Sequence, residues 1–187
     1  MSSMSKSSLR RHRLTSTEYH RMADAGILPP DARVELIEGE IIDLAPIGSR
    51  HAAVVERLAA AIRLAVGRRA MIRVQQPVVL NEHSEPQPDL SIVLPRDDYY
   101  EHRHPHPEDV LLIVEVADTT QTYDRDEKVP LYARHRIREV WLVDLERRVI
   151  ERYGDPTEGA FTKRSVISAG EPLRIDAIDG VHIDFGL

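Results

Sequence analysis

Cysteine is absent from the chain. Disulfides, thiolate zinc sites and cysteine nucleophiles are thereby excluded together, and a reducing compartment fits without being required. Also missing is any apolar run near the ~20 residues that a membrane-spanning helix needs. The stretch from Met1 to Arg13 is rich in serine and carries Lys6, Arg10, Arg11 and Arg13, without the apolar centre of a signal peptide. Residues 1–14 therefore read as a flexible basic tail, because small polar side chains bury too little to offset the entropy of ordering. A weak phosphate-binding arm is the sharper reading of the same residues. The expected location is the cytoplasm.

Positive charge is in short supply, with 25 Lys and Arg against 31 Asp and Glu and a net charge of −6. That counts against a nucleic-acid partner, whose affinity comes from Lys and Arg neutralising phosphates. The objection is partial, since an acidic site for divalent cations carries unpaired carboxylates in the bare chain. Aromatics make up only 5%, and no base-stacking set or recognition helix stands out. No repeat and no Gly- or Ser-rich linker divides the 187 residues, a length that fits one domain over residues 15–187.

What is present reads as alternating helices and strands. Thr15 to Ala25 is a short helix with Glu18 in the capping-box position for Thr15, stopped by Asp31 and the Pro29-Pro30 pair. Val34 to Leu44 reads as a hairpin turning at Glu38-Gly39. Ser49 to Val66 is a helix, with Val55, Leu58, Ile62 and Val66 at helical spacing and Gly67 after it. Ile72 to Leu80 reads as a strand bulged or at an edge at Pro77, and Asp89 to Leu94 as a short strand. Val110 to Val116 is an unbroken apolar run holding one carboxylate, the pattern of a strand covered on both faces and hence central. A helix is expected within Asp124 to His135, then strands at Val140 to Val143 and Arg148 to Tyr153, with edge strands in Phe161 to Leu187. The fold class is α/β, a mixed central sheet flanked by helices.

Glu115 ends the most apolar segment, where an isolated ionised carboxylate is costly. Such a group survives by pairing, hydrogen bonding or staying protonated. A structural ion pair with a neighbouring Arg accounts for it equally well. Asp89 follows Pro88 at the mouth of the preceding strand, so two carboxylates on adjacent strand ends can share one hard cation. Ala117, on the same strand face as Glu115, occupies the place where a lysine beside a metal could stand. The nearest downstream candidate is Lys128, whose bland reading is a surface lysine. It shares a helical face with Leu131 or Tyr132 and with His135, although Pro130 disturbs that helix. His51 and Glu40 are accessory candidates, against plain readings as a rim histidine and a solvated hairpin residue. The alternating imidazoles of His102, His104 and His106 could attract zinc, but their Pro-rich, charged setting reads as an exposed loop.

Several segments occur in a telling order. They are Val34-Glu35-Leu36-Ile37-Glu38-Gly39-Glu40-Ile41, Ser49-Arg50-His51, Pro88-Asp89-Leu90, Val114-Glu115-Val116, Asp124 to Lys128 with Tyr132, and Glu139-Val140-Trp141-Leu142-Val143-Asp144. Together they resemble the Uma (number two) family of restriction-endonuclease-like proteins, within the PD-(D/E)xK nuclease superfamily. Where that family commonly has Glu-Val-x-Ser-Pro-Ser-Thr, this chain has Glu115-Val116-Ala117-Asp118-Thr119-Thr120, keeping the polar turn without the proline. The resemblance implies a restriction-endonuclease-like sheet and metal-dependent hydrolysis of phosphodiester bonds in DNA. Asp89, Glu115 and the Val116 carbonyl would hold Mg²⁺ or Mn²⁺, and Lys128 would act beside them. It also implies a homodimer for cutting two strands. The alternatives are a non-catalytic module of the same fold that grips nucleic acid or a protein, and a structural protein in which Glu115 sits in an internal salt bridge.

Overall fold

The computed structural model describes residues 11–118, 120–168 and 170–183. Residues 1–10 of the basic stretch, and the last residues of the segment read as edge strands, lie outside the described residues. Six strands form the main sheet in the order β3 (Met71–Val74), β4 (Leu90–Val93), β5 (Val110–Ala117), β6 (Glu139–Asp144), β7 (Val149–Thr157) and β8 (Ala160–Ser168). Only the β5–β6 pair is parallel. The sheet is thus mixed, and β5 lies inside it with every residue buried. β1 (Val34–Ile37) and β2 (Glu40–Asp43) form a separate hairpin, and β9 (Leu173–Arg174) pairs with β10 (His182–Ile183).

Period-two alternation sorts β5 between two cores. Leu112, Val114 and Val116 pack with Val55, Leu58 and Ile62 of α2 (Ser49–Val66). Ile113 and Ala117 pack on the other side with Leu131, Tyr132 and Val78. Glu115 lies between those two residues, on the face turned to the segment 121–134. The register places Glu115 opposite Leu142 and Leu142 opposite Glu151, so both carboxylates stand in one cross-strand row.

The first helix, α1 (Ser16–Asp24), has the expected capping box, with Glu18 N–H donating to Thr15 Oγ1 and Thr15 N–H to Glu18 Oε2. It ends at Asp24, one residue short of the expected Ala25, and Gly26, with φ +71°, turns the chain out of the helix before the prolines are reached. The expected strand from Ile72 to Leu80 also stops early. Gln75 adopts φ +50°, and beyond it Val78 and Leu80 bond to Pro86 and Ser84 instead of continuing the ladder. Alternation persisted past the true end of the strand because these residues are still buried, under a loop.

The hairpin carries residues of the site, and its turn is tightly specified. Glu38 (φ +49°) and Gly39 (φ +84°) both take left-handed conformations, as a two-residue hairpin turn demands. A Cβ at Gly39 would come within 2.6 Å of Arg13 Cβ and 2.9 Å of Arg13 Cα, because Leu14 N–H donates to Gly39 O. Gly39→Ala is expected to destabilise the fold by about 1–3 kcal/mol, as read from urea unfolding; an unchanged midpoint would show that the N-terminal segment yields freely.

Candidate active site

Asp89 immediately precedes β4, and its carboxylate is fixed by three donors. His51 Nε2 lies 3.0 Å from Oδ2, Val116 N–H donates to Oδ2 at 2.9 Å, and Gln75 Nε2 donates to Oδ1 at 3.2 Å. Gln75 reaches it because its left-handed backbone ends β3 beside β4. Burial pushes the Asp89 carboxyl upward, but the His51 hydrogen bond and charge, with Val116 and Gln75, outweigh it and hold the group below the usual carboxylate range. The same hydrogen bond raises His51 above its ordinary value.

Glu115 has the opposite character. It is 3% exposed, and burial pushes its carboxyl up to about 8; Lys128 opposes the rise while Asp124, Asp89 and Glu35 add to it. Its Oε1 accepts from Tyr132 OH at 2.5 Å and lies 2.9 Å from Lys128 Nζ. The cation expected beside Glu115 in a structural ion pair was an arginine; here it is this lysine.

Lys128 comes to this place through an irregular helix. After the short turn α3 (Gln121–Tyr123), residues Asp124–Lys128 form a π turn, followed by α4 (Val129–Arg134). Val129 N–H reaches back five residues to Asp124 O, and Pro130 follows with no N–H to leave unsatisfied. The disturbance expected from Pro130 is therefore absorbed as one wide turn. Lys128, Leu131 and Tyr132 are all buried on the sheet side, whereas His135 sits toward the rim against Asn81.

Two further carboxylates join them. Glu35 of β1 is fully buried; its Oε2 accepts from Gln87 N–H at 3.0 Å and lies 3.2 Å from Lys128 Nζ. Asp124 accepts from Thr120 Oγ1, and burial raises its carboxyl. Asp89, Glu115, Lys128, His51, Glu35 and Asp124 all line one cavity of about 470 Å³. Glu40 does not join it. Although register sets Glu40 beside Ile37 on the ribbon face of Glu35, it lies nearer the turn and is exposed to solvent. Glu35 and Asp124 are the buried carboxylates of this cavity that sequence reasoning missed.

A larger cavity of about 700 Å³ lies between Arg138, Arg152, Lys163 and Arg164, but Lys163, Arg152 and Arg164 there are paired with carboxylates. The smaller cavity is chemically the more demanding. Glu35 Oε1, His51 Nδ1 and Tyr123 OH, all from residues on its lining, are buried without a hydrogen-bond partner. The segment His102 to His106 is not the exposed loop expected: Pro105 is buried, His104 lies against Arg73, and Arg103 pairs with Asp109.

A divalent cation suits this chemistry. Three buried carboxylates, Glu35, Glu115 and Asp124, and the part-buried Asp89 face one ammonium and one imidazole, and oxygen donors are what Mg²⁺ and Mn²⁺ prefer. Among the described residues no three His, Asp or Glu side chains form a ready-made cage. Mg²⁺ fits such a site, since it keeps several waters and takes only one or two carboxylates. Val116 lines the cavity, and its N–H already points to Asp89, so its carbonyl lies toward the same neighbouring strand.

No curated protein matches the chain. Among solved structures, the chain is similar to one described as a putative nuclease belonging to DUF820 from Anabaena variabilis ATCC 29413. The TM-score is 0.68 at 18% identity, covering 91% of this chain and 94% of that one. At that identity the likeness speaks to the fold, and the mixed sheet with its flanking helices is shared. Among the described residues no helix is long and apolar enough to cross a membrane. The profile of the family described as Uma2, putative restriction endonuclease, matches residues 16–186, and the chain belongs to that family.

Proposed function

We propose that this protein is a metal-dependent endonuclease that hydrolyses phosphodiester bonds in DNA, working in the cytoplasm with Asp89, Glu115 and Lys128 as its catalytic residues. One observation carries the reading: two carboxylates from adjacent strands and one buried ammonium converge on a single cavity, with Lys128 Nζ 2.9 Å from Glu115. Membership of a family described as restriction endonuclease supports a nuclease reading; the metal, the substrate and the residue roles are inferred from the site.

Bound Mg²⁺ or Mn²⁺, held by Asp89, Glu115 and the Val116 carbonyl, would lower the pKa of a coordinated water and offset charge on phosphate oxygens. The remaining work falls to the chain. Asp89 stays ionised because His51, Val116 N–H and Gln75 favour its charged form. Burial raises the Glu115 carboxyl, so the metal-free site favours its protonated form, and a bound ion would draw on the deprotonated carboxylate, as metal ligands require. Lys128, kept charged by its carboxylate neighbours, orients the attacking water and stabilises negative charge growing on the phosphate. His51 holds Asp89 in place through Nε2. Cutting both strands of a duplex calls for two such sites, and a homodimer supplies them.

The test uses the full chain with duplex DNA, single-stranded DNA and RNA, each with Mn²⁺, Mg²⁺ or EDTA. Cleavage of DNA in either metal, abolished by EDTA, is the expected result. Metal binding without cleavage of any substrate would favour the non-catalytic module and overturn the enzyme reading.

A further inference from the structure

We propose that Glu35 is a cation-binding carboxylate of this site, directing Oε1 to a hydrated divalent ion while Oε2 keeps hold of Lys128. The inference rests on the metal-site reading of the cavity and adds a ligand to it from the N-terminal hairpin.

The two oxygens of Glu35 are treated very differently. Oε2 accepts from Gln87 N–H and from the Lys128 ammonium, whereas Oε1 is buried and has no partner. A buried carboxylate oxygen without a donor is costly, so such atoms are ordinarily satisfied. Another glutamate of equal burial shows what a structural role looks like here. Glu151 is also fully buried, yet its Oε1 receives Arg125 and Arg147 and its Oε2 receives Tyr153 and Arg164. Nothing comparable is built around Glu35; Glu85 Oε1 is also buried without a partner but lies off this cavity, whereas the open oxygen of Glu35 belongs to a residue lining the cavity of Asp89 and Glu115. Tyr123 OH, from another residue of that lining, is a second buried group without a partner.

The sharing of Lys128 gives the arrangement a purpose. Its single ammonium spans Glu115 Oε1 and Glu35 Oε2, at 2.9 and 3.2 Å. A cation that draws on Glu115 weakens one half of that clamp. Glu35 Oε2 keeps the other half, so the amine stays beside the reacting phosphate while Oε1 contributes to holding the ion or one of its waters. Gln87 N–H, two residues before Asp89, ties Glu35 to the loop that delivers Asp89.

Calorimetric titration of Mn²⁺ into the full-length wild type, Glu35→Gln and Asp89→Asn proteins tests this, with thermal unfolding of each in EDTA as the folding control. Glu35→Gln is expected to weaken Mn²⁺ binding by about 10- to 100-fold while the metal-free protein still unfolds cooperatively. Should the amide variant fail to fold, Glu35→Asp keeps the charge but withdraws the carboxylate, and the same direction of loss is expected. Wild-type affinity in the Glu35 variant, with binding lost in Asp89→Asn, would overturn the role of Glu35 and leave the metal site standing. No Mn²⁺ binding by the wild type would overturn both.

Discussion

Lys128→Met is expected to lower metal-dependent cleavage by on the order of 10²–10³-fold, the scale on which one lost charge-stabilising donor is felt. It is also expected to destabilise the metal-free fold by about 3–5 kcal/mol, because removing one partner leaves buried charge uncompensated. Lys128 is 3% exposed and lies against both Glu115 and Glu35. Burial works against its charge, but Glu115, Tyr132, Glu35 and Asp124 together hold the ammonium well above its ordinary range. A folded-state value raised in this way contributes stability that is complete at neutral pH and fades only in strong alkali. Glu115 has its value raised too, from 4.5 to about 8, but for an acid this means that ionisation costs stability. Its contribution is whole below 4.5 and is lost as pH climbs through about 8. The deficit of Lys128→Met should therefore be larger in urea unfolding at about pH 9 than at about pH 5, where Glu115 can take up a proton. Equal deficits at both pH values would mean that the lysine serves packing alone, and undiminished cleavage would remove it from the chemistry.

Glu151→Leu is expected to cost about 3–5 kcal/mol and to abolish a distinct acid transition. Burial raises this carboxyl, but hydrogen bonds from Arg125 and Tyr153, with the charges of Arg125 and Arg164, pull it down to about 2. A lowered folded-state value means stability that is present above 4.5 and disappears as pH falls through about 2. The wild type should lose stability across that acid window, and the leucine variant should show a flatter profile there. Arg147 and Arg164 are about half exposed and can return to water, which favours the lower end of the range, whereas the Tyr153 hydroxyl is left buried. Arg125 follows Asp124 in the π turn that delivers Lys128, so the anchor at Glu151 also steadies the segment carrying Lys128. Chemical denaturation between about pH 2 and 7 measures the effect; parallel curves for the two proteins would show that the arginines find other acceptors.

Much of this site can be read from sequence because carboxylates in apolar runs are conspicuous. Glu115 lies near the end of the longest fully buried strand, and Asp89 follows the proline just before the strand beside it. Their meeting needs only that neighbouring strands pair, and β4 and β5 do. The same rule overlooks Glu35, since alternation in a half-buried hairpin assigns the residue between Val34 and Leu36 to solvent. Here α1 and the core cover one face of that strand, while Lys128 and Gln87 close the other. Lys128 was traceable by elimination from Ala117, but its route was not. A π turn and an α turn leave nearly the same hydrophobic pattern over five residues, and only the hydrogen bond from Val129 to Asp124 separates them. The C-terminal third was the least legible. β8 carries no buried residue, and its place beside β7 follows from the hairpin connection and not from any apolar face.

That outer strand constrains how copies of the protein can meet. β8 ends the sheet, is mostly exposed along its nine residues, and has Lys163 and Arg164 at its middle. A second copy joining antiparallel through this border with the full strands in register would set Arg164 across from its own counterpart, with the lysines close by, a repulsive match. Such a match disfavours strand-by-strand polymerisation through this border.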